Sequence, residues 1–178
     1  MDNKKQEILE TAEKMVREGG YNSFSFRDIA TAVGVKSSSV HYYFPTKSAL
    51  GAAVVTYYTD KFLNHLGDPH QLMEEEKDLI RIYIQAFRSA LTKDKRMCLC
   101  GLLGAEVGGL PPEVVAETKA FFERNIEWLT TAYTLKSGEK EARENAMKTL
   151  SLLEGAMILS NVLGDIKAFD EALMRLDD

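Results

Sequence analysis

The sequence predicts an all-α protein, with a three-helix N-terminal domain over residues 1–47 and a larger helical domain over 48–178. Three observations predict it. Apolar residues recur three and four positions apart in almost every long segment, which is the spacing of one helix face. No segment keeps the strict alternation of a half-buried strand. Glycine, proline and short polar residues fall between the periodic segments, where helices stop and start.

Residues 3–18 set Ile8, Leu9, Ala12, Met15 and Val16 on one face. Gly19-Gly20 ends that helix, because glycine takes the left-handed C-terminal conformation without a Cβ clash. Ser25-Phe26-Arg27-Asp28 predicts a capping box, in which the serine and the acid each satisfy the other's backbone N–H. A short helix follows through Ile29, Ala30 and Val33 to Gly34, with Val35 as a buried plug after the turn. Ser37, Ser38 and Ser39 offer N-caps for another short helix ending near Phe44. Pro45 cannot continue it, and Thr46 caps a helix from about 47 to 66 that carries Leu50, Val54, Tyr57, Tyr58 and Phe62. Gly67-Asp68-Pro69 breaks that helix. The segment 72–93 then aligns Leu79, Ile80, Tyr83, Phe87, Ala90 and Leu91. After an apolar, glycine-rich stretch from Met97 to Leu110, Pro111-Pro112 opens a helix through about Leu135. Ser137-Gly138 separates it from 139–164. Gly164-Asp165 precedes a last amphipathic helix with Phe169, Ala172, Leu173 and Leu176.

Composition narrows the class. Hydrophobic residues at 45% and charged residues at 28% fit a soluble globular chain with a real core. No apolar run approaches the roughly 20 residues that span a bilayer, so no membrane partner is expected. The start lacks a signal-peptide core. Two cysteines one residue apart, Cys98 and Cys100, give no disulfide framework and point to reducing cytosol. The net charge of −5 argues against nucleic acid, but its distribution does not. Residues 1–47 hold seven Lys/Arg and six Asp/Glu, leaving the deficit to the remainder. Nothing reads as catalytic: the serine run lacks a nucleophile elbow, no paired carboxylates stand out, and no glycine loop suits a phosphate. No cofactor is implied, and a lone Cys-x-Cys with scattered histidines makes no metal site.

The informative unit is 25–44. Ala30 is small enough for a second helix to cross closely, Gly34 makes the turn, and Lys36-Ser37-Ser38-Ser39 puts short polar groups at the start of the second helix. That arrangement fits a major groove. The stretch from Ser25 through His41-Tyr42-Tyr43-Phe44-Pro45-Thr46-Lys47 to Leu50 resembles the TetR-family DNA-binding signature, and the likeness extends over helix one, residues 3–20. It implies a dimeric, ligand-responsive transcriptional regulator, usually a repressor, on a double-stranded, pseudo-palindromic operator. On that likeness Arg27 contacts DNA from the second helix. Lys36, Ser37, Ser38, Ser39, His41 and Tyr42 fall on or beside the recognition helix, and Lys47 matches a frequent phosphate-binding lysine. Ser38 stands where a glycine is common and His41 where a tyrosine is usual, so operator preference does not carry over. Tyr42 can reach a phosphate or pack, whereas Val40, Tyr43 and Phe44 read as packing residues.

For the rest of the chain the resemblance implies a small-molecule effector pocket. Tyr83, Phe87, Cys98, Phe121, Phe122, Asn125 and Trp128 mix aromatic walls with a few polar groups and are the candidate lining; each alone also reads as core. The segment Met97 to Glu106 is similar to one in a subset of these regulators that sense electrophiles or oxidants, which makes Cys98 a candidate sensor; two buried, inert thiols are the other reading. A homodimer interface is expected on 139–164 and 166–176, through Leu150, Leu153, Met157, Ser160, Val162, Phe169 and Leu173, with small residues allowing close helix approach. A small all-α ligand-binding protein or enzyme using the cavity directly is the alternative.

Overall fold

The computed structural model describes residues 3–93 and 95–174. Leu176, assigned above to the last helix, lies outside them. The described residues form helices joined by turns and short loops, with no strand.

The N-terminal elements follow from their end signals. Helix α1 (Asn3–Gly19) buries Ile8, Leu9, Ala12 and Val16, and Gly20 turns the chain at φ 79°. Two charged residues are buried with them: Arg17 donates to the Glu13 carboxylate at 3.3 Å, and Lys61 pairs with its other oxygen. Helix α2 (Phe26–Val33) opens on the capping box. Ser25 N–H donates to Asp28 at 2.9 Å, and the serine oxygen accepts from Asp28 N–H at 3.3 Å. The Ser25 hydroxyl, donating to the Asp28 carboxylate at 2.6 Å, and then the Ser25 N–H hold that carboxyl below its ordinary range. Gly34, left-handed at φ 73°, ends α2, and Val35 N–H closes the turn on Ala30 O at 2.9 Å. Val35 is half-buried rather than fully enclosed.

Helix α3 (Ser37–Tyr43) departs from the serine-cap expectation. Its cap position is Lys36, with no side-chain cap bond, so the serines sit inside the first turn. Thr46 caps α4 (Lys47–Leu66), accepting from Ala49 N–H at 3.0 Å. The expected single segment 72–93 is two helices, α5 (Pro69–Glu74) and α6 (Leu79–Thr92). Asp68 and Asp78 each cap one. The run Glu74-Glu75-Glu76 puts like charges together, and Glu76 turns left-handed between the helices. Helix α7 (Leu99–Ala105) occupies the glycine-rich stretch. It is followed by α8 (Pro112–Ser137), α9 (Ala142–Leu163) and α10 (Lys167–Leu173).

The chain divides into two compact units, Met1–Lys61 with Leu99–Phe121, and Phe62–Cys98 with Phe122–Asp178. The first unit is larger than the N-terminal domain read from the sequence. Leu50, Val54, Val55 and Tyr58 of α4 are buried in it, and α7 packs on α1. Within it Tyr21 N–H donates to Glu106 at 3.0 Å, and Thr56 of α4 donates to Glu117 of α8 at 2.9 Å. In the second unit α9 packs on α6 and α10, and Arg88 makes a forked pair with Asp170 at 2.7 and 2.9 Å.

Candidate nucleic-acid interface

Within the first unit, α3 is held from beneath and open above. Val40 is fully buried and Phe44 nearly so; α3 packs on α2, whose Ile29 and small Ala30 are also buried. The opposite side carries Ser37, Ser38, His41 and Tyr42, all exposed; Tyr42 is 82% exposed, unusual for a large aromatic residue. Ser39 is half-buried. The His41 ring is braced edge-on against Phe26, centroids 4.4 Å apart, and Tyr42 meets Tyr43 at 5.2 Å. Tyr43 is half-buried, as a packing role requires.

Three cations flank this face in sequence. Arg27 and Lys36 are exposed. Lys47 is more constrained: its ammonium lies over the rings of Phe24 and Tyr21, at 4.6 and 4.9 Å. Burial against those rings lowers its pKa, and Asp28 opposes the shift. The rings attract the cation while leaving its charge unneutralised, because a ring face is no counter-ion. Tyr21 is in turn fixed by Glu106. Reading residue types along the chain missed both Tyr21 and Glu106, since that hydrogen bond joins positions 85 residues apart.

The other predicted residues divide. Tyr83, Phe87, Cys98, Asn125 and Trp128 come together in the second unit. Tyr83 stacks on Phe87 and lies against Trp128, each at 5.4 Å, and its hydroxyl donates to Asn125 Oδ1 at 2.6 Å. Phe121 is buried in the first unit, 5.8 Å from Tyr58, and Phe122 is half-buried. A groove of about 520 Å³ in the second unit is bordered by Asn64, Asp68, His70, Arg124, Glu127 and Trp128; of the seven candidates Trp128 alone lines it. Neither cysteine is in a disulfide, and both are buried. Among the described residues no three His, Cys, Asp or Glu side chains converge as a metal would require. No helix there is long and apolar enough to cross a membrane.

The dimer candidates differ in exposure within the single chain. Leu150, Leu153, Met157, Ser160, Phe169 and Leu173 are buried in it, whereas Val162 is 78% exposed. The exposed apolar residues of α9 are Met147, Ile158, Leu159, Val162 and Leu163.

A short helix seated on another through a left-handed glycine turn, polar side chains outward, is the helix-turn-helix of DNA-binding proteins. Residues 8–54 match the model of the bacterial regulatory proteins of the tetR family. The crystal structure of a TetR transcriptional regulator from Legionella pneumophila superposes with a TM-score of 0.89 at 32% identity, covering 99% of this chain and 97% of that one. The uncharacterised HTH-type regulator YuxN of Bacillus subtilis is 39% identical over 61 residues, and the HTH-type regulator RutR of Escherichia coli 28% over 139. Those stretches take in 34% and 76% of this chain but 21% and 64% of the two relatives. The chain belongs to the TetR family of transcriptional regulators.

Proposed function

We propose that the protein is a dimeric repressor that holds a pseudo-palindromic operator and releases it when a small molecule binds the C-terminal domain, residues 48–178. The observation that carries this reading is α3, anchored through Val40 and Phe44 with Ser37, Ser38, His41 and Tyr42 left outward. Such a helix enters the major groove; Arg27, Lys36 and Lys47 meet phosphates around it. The buried cluster around Tyr83 supports an effector site in the second unit. An effector releases DNA only by binding better to the form whose two heads are wrongly spaced for the operator. The exposed apolar stripe of α9 supports pairing with a second copy, and two short helices on paired half-sites give the affinity that one lacks.

Lys47 tests the electrostatic part. Lys47→Ala weakens binding to every duplex sequence alike and lowers the slope of log affinity against log salt by roughly one unit. Fluorescence titrations across a salt series read both. An unchanged affinity with an unchanged slope removes Lys47 from the backbone contacts.

A further inference from the structure

The second unit holds a carboxyl group that its fold does not satisfy. Both oxygens of Glu154 on α9 are buried, and among the described residues no hydrogen bond of normal geometry reaches either. The Cys98 thiol is the polar side chain acting on it, and a thiol is a weak donor. The Tyr83 hydroxyl is close enough for the two groups to influence each other, but it is committed to Asn125 at 2.6 Å. The contrast with Glu13 is instructive. That buried carboxylate is paired by Arg17 and Lys61, as the cost of desolvating a charge requires. Among the described residues no cation is paired with Glu154, and burial raises its pKa to about 7. The residue as a whole is only half-buried, although both carboxyl oxygens are enclosed. In sequence it is the single acid in Leu152-Leu153-Glu154-Gly155-Ala156-Met157-Ile158-Leu159.

We propose that Glu154, beside Cys98 and the Tyr83–Asn125 pair, is the recognition point for a small organic cation, an amine or amidine, carried by the effector. The inference rests on reading the second unit as effector-binding. A cation supplies what the site lacks, namely N–H donors and a positive charge for a desolvated carboxylate. A carboxylate or phosphate ligand is repelled at the same point. A neutral ligand offers the ionised carboxylate N–H donors but no charge, so the site favours the cation.

Benzamidine is the probe, with benzamide as its uncharged isostere, measured calorimetrically on the full chain near pH 8. Wild type binds benzamidine and discriminates against benzamide. Glu154→Gln weakens benzamidine by roughly thirty-fold or more and leaves benzamide unchanged. Benzamidine affinity in wild type falls as pH drops through about 7, because the carboxyl takes up a proton. The glutamine variant shows no such fall. Thermal unfolding checks the variant's fold: removing an unsatisfied charge does not lower its midpoint at pH 8. Glu154→Asp, which keeps the charge on a shorter arm, retains discrimination against benzamide. Equal benzamidine binding by wild type and Glu154→Gln, or none by wild type at millimolar concentration, overturns the proposal. Titrating the same preparations with duplex DNA separates the two readings. Loss of the cation effect with duplex binding intact defeats only this inference, and absent duplex binding defeats the regulator reading itself.

Discussion

Val40→Asp abolishes binding to duplex DNA. Val40 is the fully buried residue of α3, which packs on α2, where Ile29 and Ala30 are buried as well. A carboxylate there loses its hydration without gaining a partner, at a cost of roughly 3–5 kcal/mol. Seven residues cannot stay helical alone, since isolated helices shorter than about 12 are marginal even in favourable sequences. The recognition helix therefore leaves its seat, and Ser37, Ser38, His41 and Tyr42 lose their common face. Anisotropy of a labelled duplex reads the result, with no saturable binding at low salt. The single tryptophan, Trp128, lies in the second unit and donates to Gly67 O at 2.8 Å. Unchanged Trp128 emission confines the damage to the first unit. Wild-type affinity in this variant contradicts the role given to α3.

The second large effect is on assembly. The proposed pairing through α9 predicts that the chain sediments as a dimer and the double variant Leu159→Glu, Val162→Glu as a monomer. Met147, Gly155, Ile158 and Val162 follow one another along α9 at helical spacing, and Leu159 and Leu163 widen the stripe. A Cβ at Gly155 would meet nothing within 4 Å, so the stripe is open to a close neighbour there. Self-complementary pairing counts each substitution twice. Each buried, unpartnered carboxylate costs roughly 2–5 kcal/mol, enough to raise the dimer dissociation constant by several orders of magnitude. Operator affinity falls with it, because each head then binds one half-site alone. Dimers that survive both substitutions place the interface elsewhere.

What the sequence disclosed depended on range. The capping box at Ser25 and Asp28, the turn at Gly34 and the cap at Thr46 are local chemistry, written in residues two to five apart. They put the helix-turn-helix within reach of reading alone. The break between α5 and α6 was less visible, because the apolar spacing of α6 continues back towards Leu72 and only Asp78 marks the new start. Helix α9 defeated periodicity for a different reason. Apolar residues lie nearly all round it, with Leu150, Leu153 and Met157 inward and Ile158, Leu159 and Val162 outward, so pattern alone cannot choose the face. Phe121 and Trp128 are seven residues apart on one helix yet belong to different units. Glu154 was invisible because its significance is the absence of a partner from elsewhere in the chain.

Photo-crosslinking from position 42 tests the central claim most directly. A photoreactive phenylalanine in place of Tyr42 projects from the outward face of α3, and the same residue in place of Ile158 sits in the exposed stripe of α9. Irradiation with duplex DNA yields covalent protein–DNA adducts from position 42 and none from position 158. No adduct from position 42, or equal adducts from both, contradicts the account.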